Sequence, residues 1–158
     1  MKRFVLSIVL AAVIAWATVY AAEKKVSGVP EKAKCPVCCM FVSKYPDWTA
    51  TARLKDGTTQ YFDGPKDLFT FYLDPAGFTA GKRQADIAAL AVREYYSLEP
   101  IDPRSAFFVV GSDVYGPMGS ELIPFKTEKD AASFKADHKG KRIVRFNEIT
   151  KQVIKTLN

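Results

Sequence analysis

Two segments of this chain carry the same order of sequence signals, and this echo constrains the fold more than any other feature. The segments "TTQYFDGPKDLFTFY" (58–72) and "SELIPFKTEKDAASFK" (120–135) each read as a strand, an aromatic residue, a capping turn, a Lys-Asp pair and a helix with a phenylalanine at the matching position. Two diverged units, each a β-hairpin followed by a helix, would explain the echo. An α+β domain without a repeat would also produce it, because strand-turn-helix signals are common in that class.

In the first half of the chain, turn signals separate short apolar segments. Asp56-Gly57 stands between "WTATARLK" and "TTQYF" and accepts the positive φ angles of a hairpin turn, which predicts two antiparallel strands. Asp63-Gly64-Pro65 predicts a helix start with proline in the first turn, and "DPAGFTAGKR" predicts the loop that ends this helix. The segment "IAALAVREYYSL" begins with a helix-like pattern and ends in strand formers, so we expect a strand over residues 90–97.

The second half continues the alternation of strands and helices. The apolar segment "AFFVVG" predicts a buried strand, and "ELIPF" predicts a shorter one, whose Pro124 suits an edge or a bulge. Thr127, with Asp130 three residues later, resembles a capping box and predicts a helix that continues to Gly140. "RIVRF" predicts the last strand, and Asn147 is expected to cap a final amphipathic helix. These patterns predict an α+β fold.

The N-terminus has the layout of an exported protein. Lys2 and Arg3 precede an uncharged run from Phe4 to Val19, and small residues follow it, which predicts a signal peptide over residues 1–21. Residues 22–34 are charged with little to bury and predict a flexible linker, and residues 35–158 form the expected single domain. The predicted product is a periplasmic protein without stable membrane insertion after cleavage. An uncleaved anchor is the alternative, because the apolar run lies just under the roughly 17 residues that a spanning helix needs.

The charge pattern narrows the class of function. The formal net charge is +6, but Lys, Asp and Glu are interspersed and no basic stripe stands out, so we expect no nucleic-acid partner. The sequence has no paired carboxylates, no Ser-His-Asp set and no glycine-rich phosphate loop. We therefore expect a binding protein and not an enzyme.

All three cysteines of the chain lie in the segment "CPVCCM", as Cys35, Cys38 and Cys39. A structural zinc site is not expected, because the sequence has no second CxxC and only one histidine, His138. A disulfide-stapled interaction domain is one alternative, because disulfides persist in exported proteins. A Cys35–Cys38 bridge would, however, close a very small loop and so stabilise the fold only slightly. A thiol-disulfide oxidoreductase that uses the CPVC dithiol is another alternative.

The positions of the methionines favour a metal site. Apart from Met1, the chain has only Met40, directly after the cysteines, and Met118, in the loop "GPMG". Met118 does not lie on a periodic apolar face, so it has no obvious core to fill. Thiolate and thioether ligands together select Cu(I), and His138 would complete a set suited to copper. His138 also lies near a predicted helix end, where a histidine can interact with free carbonyls, so both interpretations stay open.

The phrases "CPVCCMFV", "PDWTA", "AFFVVGSDVYGPMGSELIPF" and "KDAASFKADHKG" resemble the NosL family of exported copper-binding accessory proteins. The resemblance covers roughly residues 35–148. It implies a fold of two ββαβ-type units and Cu(I) ligation by Cys38 and Met118. It also implies delivery of copper to a periplasmic copper enzyme, nitrous oxide reductase, together with other periplasmic copper-assembly proteins.

The sequence departs from the family pattern at two points. Where the pattern resembles CxxCGM, this chain has Cys39 in place of glycine, so Cys39 is a third ligand, a spare thiol or a disulfide partner of Cys35. Cys35 and Met40 are further candidate ligands, although Met40 could equally be the first apolar residue of a strand. The lipid-attachment cysteine that many members carry is missing near the predicted cleavage site.

Overall fold

The computed structural model describes residues 28–157 of the chain. The predicted signal peptide and the first part of the predicted linker lie outside the described residues, so both stay predictions. At the end of the linker, Lys34 forms an isolated β-bridge with Phe41, and the carbonyl of Ala33 accepts a hydrogen bond from the amide of Val42. These bonds join the last linker residues to the segment after the cysteines.

The first half of the described chain builds a four-stranded antiparallel sheet with a helix packed against it. Its elements are β1 (Ala50–Leu54), β2 (Thr59–Phe62), α1 (Pro65–Leu73), α2 (Pro75–Phe78), β3 (Ile87–Arg93) and β4 (Pro100–Ile101), with 3-10 turns at Val42–Lys44, Pro46–Trp48 and Gln84–Asp86. The strand order is β2-β1-β3-β4. The turn between β1 and β2 contains Gly57 at a φ of +88°, which agrees with the predicted hairpin.

The second half builds a three-stranded antiparallel sheet with the order β8-β5-β9 and a separate two-stranded hairpin. Its elements are β5 (Phe107–Val110), β6 (Tyr115–Gly116), β7 (Gly119–Ser120), β8 (Ile123–Phe125), α3 (Glu128–Asp137), β9 (Arg142–Arg145) and α4 (Lys151–Lys155), with a 3-10 turn at Phe146–Glu148. As predicted, Pro124 lies on an edge strand and the Thr127 hydroxyl accepts the amide of Asp130 at the start of α3. Among the helices of residues 28–157, none has the length and apolar character to cross a membrane.

The two halves share one topology. In each sheet the first strand is central, its hairpin partner lies on one side, and the strand that follows the helix lies on the other. Thus β1, β2, α1 and β3 correspond to β5, β8, α3 and β9. The prediction of an α+β fold made of two ββαβ-type units is confirmed.

One core joins the two units. Phe69 of α1 packs edge-on against Phe108 of β5 with 5.3 Å between ring centroids, and against Phe146 at the same distance. On the opposite face of the second sheet, Phe125 and Phe134 belong to a smaller buried cluster under α3. Because β5 is buried on both faces, its sequence is continuously apolar. The two units therefore form one domain.

Three local expectations were wrong. The strand expected over residues 90–97 is Ile87–Arg93, and residues 95–97 form a turn. The strand begins earlier than expected because β3 pairs with both β1 and β4, and this pairing outweighs the helix propensity of its alanines. The predicted loop after α1 contains the short helix α2. The last helix begins after Thr150, whose hydroxyl accepts the amide of Val153, whereas Asn147 lies in the preceding 3-10 turn.

Replacing Phe69 by alanine should lower the free energy of unfolding by about 3–5 kcal/mol, because it leaves a cavity between the two units. Urea denaturation followed by circular dichroism measures the change. Phe41→Ala is the control, since Phe41 is 40% exposed and its loss should cost less than about 1 kcal/mol. Equal losses in the two variants would contradict a core shared by both units.

Candidate metal site

The cysteines lie in a tight loop, Cys35–Met40, which we call the cysteine loop. The amide of Cys35 donates to the carbonyl of Met40, and the amide of Cys39 donates to the carbonyl of Cys35, each over 2.9 Å. Cys39 has a φ of +65°, in the left-handed region that favours glycine. This turn directs Cys35 into the core, where it is 1% exposed, leaves Cys38 half-buried and leaves Cys39 exposed.

Two carboxylates at the start of α1 meet the first two thiols. The Cys38 thiol donates to Oδ1 of Asp63 and the Cys35 thiol donates to Oδ2 of Asp67, each over 3.2 Å. Asp63 lies just before α1 and Asp67 lies four residues later, a spacing that places both on one side of a helix start. The four candidate ligand atoms all lie within 4.8 Å of one another. We call Cys35, Cys38, Asp63 and Asp67 the thiol-carboxylate cluster.

The electrostatics of the cluster favour a cation. Burial raises the pKa of the Cys38 thiol to about 12 and raises the pKa of Cys35 well above its usual range, with a further contribution from the charge of Asp67. Burial also raises the pKa of Asp67. Among the described residues, Oδ2 of Asp63 is buried without a hydrogen-bond partner. A cation would compensate these buried acceptors and favour the deprotonated thiols, so the residues fit a metal ion.

Met118 lies at the tip of the β6–β7 hairpin, residues 115–120, which we call the methionine hairpin. Pro117 and Met118 form its turn, and Gly119 follows at a φ of +85°. The Met118 side chain is 43% exposed, and its carbonyl accepts a hydrogen bond from Nζ of Lys66 over 2.7 Å. Lys66 precedes Asp67 in α1. The first turn of α1 therefore contacts both the cysteine loop and the methionine hairpin.

The structure brings some of the candidate ligands together and leaves others apart. Cys35 and Cys38 belong to the cluster, and the backbone of Met118 contacts Lys66, the residue before Asp67. Met40 is half-buried in the cysteine loop, and Cys39 is exposed outside the cluster. All three cysteines are free thiols.

His138 lies at the C-terminal end of α3, outside the cluster. Its Nδ1 is 3.2 Å from Oδ1 of Asp113, and its ring stacks on Phe134 with centroids 4.3 Å apart. The amide of Asp113 donates to the His138 carbonyl, so this histidine anchors the loop before the methionine hairpin.

Sequence reasoning missed Asp63, Lys66 and Asp67 as members of the site. It interpreted Asp63-Gly64-Pro65 as a helix start, which is correct but incomplete. One sequence feature could have indicated these residues. The segment "YFDGPKDLFTF" places three charged residues between apolar segments that must be buried. The same Lys-Asp pair recurs at Lys129-Asp130 without burial, so the signal alone does not identify a site.

The fold and the site define an α+β protein of two ββαβ units with a cluster of thiols and carboxylates that suits a metal ion. A protein-family model described as NosL matches residues 26–154. The chain belongs to the NosL family, which confirms the resemblance drawn from the sequence.

Two relatives extend this finding. The copper-binding lipoprotein NosL of Stutzerimonas stutzeri is 28% identical over 123 residues, which are 77% of this chain and 64% of the relative, so the chain spans less than two-thirds of the relative's length. The crystal structure of the copper chaperone NosL from Shewanella denitrificans superposes with a TM-score of 0.68 at 28% identity, covering 82% of this chain and 98% of that one. Both names describe metal-binding proteins, in agreement with the expectation that this chain is not an enzyme.

Proposed function

We propose that this protein is an exported Cu(I)-binding chaperone that delivers copper to a periplasmic copper enzyme. The observation that carries the proposal is the start of α1, residues 63–67, whose side chains contact two thiols and the backbone of Met118. Soft sulfur ligands select Cu(I), and both relatives are named for copper.

In this function Cys38 and Cys35 bind Cu(I) as thiolates, and the Met118 thioether closes the site from the second unit. The buried carboxylates of Asp63 and Asp67 accept the thiol hydrogen bonds in the free protein. Met118 is partly exposed, so a ligand from an acceptor protein can replace it first. Copper then leaves by ligand exchange and is never a bare ion.

The thiol chemistry counts against the oxidoreductase alternative. Dithiol catalysts need a thiolate at neutral pH, and they obtain it by lowering a cysteine pKa. Here burial and neighbouring carboxylates raise the pKa of both Cys35 and Cys38. Such thiols are poor nucleophiles until a cation displaces their protons, which suits metal capture better than disulfide exchange.

For the acceptor we propose nitrous oxide reductase, together with other copper-assembly proteins of the periplasm. Support comes from membership of the NosL family and from the predicted signal peptide. The Stutzerimonas relative is a lipoprotein, and for this chain we propose that it acts in the periplasm. Transfer of copper from the loaded protein to copper-free nitrous oxide reductase tests the acceptor.

The Met118→Leu variant should bind Cu(I) about 10- to 100-fold more weakly, because it removes the thioether and keeps the volume of the side chain. Anaerobic titration of the reduced protein against a Cu(I) chelator measures the affinity. Met40→Leu is the comparison, since it changes the other methionine near the cysteines, and a loss of affinity there would make Met40 a ligand as well. Unchanged binding by Met118→Leu would contradict a site shared between the two units.

A further inference from the structure

Glu121 follows the methionine hairpin directly and reaches into the first unit. Its side chain is only 3% exposed, and its Oε1 accepts the amide of Lys66 over 2.6 Å and the amide of Leu122 over 2.8 Å. The amide of Lys66 lies in the first turn of α1, where backbone donors have no partner within the helix. A carboxylate from the second unit therefore caps the helix that carries the thiol-carboxylate cluster.

Two glycines make room for this carboxylate. A side chain at Gly64, just before α1, would overlap Oε2 of Glu121. A Cβ at Gly116, in the methionine hairpin, would lie 3.0 Å from Cγ of Glu121. The Cβ added at Gly64 would also lie in ordinary van der Waals contact with Pro117, 3.9 Å from its Cδ. The Glu121 side chain is thus enclosed between the start of α1 and the hairpin, and it fixes how the two lie against each other.

Lys66 makes the reciprocal contact from the first unit. Its side chain is 4% exposed, and Nζ donates to the carbonyl of Met118 over 2.7 Å and to the carbonyl of Leu157 over 3.3 Å. Lys66 thus ties the hairpin tip and the C-terminal end of the described chain to α1. Glu121 has no part in the copper site proposed above, and Lys66 enters that site only through its contact with the Met118 carbonyl.

The methionine hairpin needs such anchors. Its strands share two residue pairs, Tyr115 with Ser120 and Gly116 with Gly119, and a hairpin of this length is not stable alone in water. Its largest side chains, Tyr115 and Met118, are exposed and bury little apolar area. The polar contacts of Glu121 and Lys66 therefore determine where Met118 lies.

We propose that Glu121 and Lys66 are positioning residues for copper, which hold the methionine hairpin against the first turn of α1 and so place Met118 beside the thiol-carboxylate cluster. The proposal rests on the Cu(I)-binding function proposed above. Because binding is strongest when the ligands are already in place, loss of either contact should weaken Cu(I) binding through Met118 and leave the thiol contribution intact.

A double-mutant cycle tests this role. Glu121→Ala should weaken Cu(I) binding by about as much as Met118→Leu, 10- to 100-fold, and should add little in a Met118→Leu background because the two changes remove the same contribution. Glu121→Gln keeps an oxygen that can accept both amides and should restore most of the affinity. Glu94→Ala is the matched control, since Glu94 is also buried and caps the amides of Tyr96 and Ser97 at a distance from the site.

The outcomes separate this proposal from the function on which it rests. If the unaltered protein does not bind Cu(I), the proposed function fails. If Met118→Leu weakens binding but Glu121→Ala does not, or if Glu121→Ala weakens it equally in both backgrounds, the positioning role is wrong and the function stands. If Glu121→Ala does not fold, Lys66→Leu takes its place in the cycle, because it removes the contact with the Met118 carbonyl and leaves the helix cap. The Cu(I) affinities of Lys66→Leu, alone and in the Met118→Leu background, are then judged in the same way.

Discussion

Cys38→Ser should weaken Cu(I) binding by more than about 100-fold, beyond the loss that supporting groups around a metal site cause. The hydroxyl of serine is a hard ligand that stays protonated, so it replaces neither the charge nor the softness of a thiolate. It can still donate to Asp63, which keeps the hydrogen bond of the free protein. The substitution should therefore affect Cu(I) binding and not the fold of the free protein. Anaerobic chelator competition measures it, and circular dichroism checks that the variant is folded.

The neighbouring cysteine supplies the control. Cys39 is exposed and has a φ of +65°, so Cys39→Gly relieves a left-handed conformation and should raise the free energy of unfolding by up to about 1 kcal/mol. It should leave the Cu(I) affinity unchanged. If Cys39→Gly weakens binding as much as Cys38→Ser, Cys39 is a ligand and the proposed two-thiol site is incomplete.

Cu(I) affinity should rise steeply with pH. The pKa of Cys38 is about 12 and that of Cys35 is raised further, so both thiols hold their protons at neutral pH and must release them to bind as thiolates. Each released proton strengthens binding about tenfold per pH unit, so two thiols give about 100-fold per unit and about 10,000-fold between pH 6 and 8. The affinity falls as pH falls, because protons compete with Cu(I) for the thiolates and the higher proton concentration favours the metal-free protein.

The slope of the logarithm of affinity against pH counts the protons. It is measured anaerobically with a chelator whose own pH dependence is known. Cys35→Ser should halve the slope, because one titrating ligand remains. A slope close to zero in the unaltered protein would mean that the thiols bind without losing their protons, which contradicts thiolate ligation.

Most of the fold was predictable from local signals. The Asp56-Gly57 turn, the Gly64-Pro65 helix start and the Thr127 cap each depend on a few adjacent residues, and each was predicted correctly. Strand β3 was predicted wrongly at both ends. Its alanines favour helix and the aromatic residues after it favour strand, while the pairing with β1 and β4 that decides its conformation involves distant residues. The similarity between the two halves of the sequence predicted the topology correctly, since matching strands of the two units occupy the same positions in their sheets.

The candidate site was only half predictable. Cys35, Cys38 and Met118 were predicted as ligands, because cysteine and methionine are rare in the chain. Lys66-Asp67 and Lys129-Asp130 occupy equivalent positions in the two helices, yet only the first pair is buried and contacts the thiols and Met118. Burial at a junction is a property of the assembled units, so no local pattern could distinguish the two pairs.

The contacts at the start of α1 also determine what would happen if the two units were produced as separate fragments. If the chain were cut in the turn between β4 and β5, one product would keep the cysteine loop and α1, and the other would keep the methionine hairpin and Glu121. The first product would lose the carboxylate that caps Lys66 and the carbonyls that its ammonium contacts. Neither fragment would contain the whole proposed ligand set, so fragment complementation would be needed to assemble it.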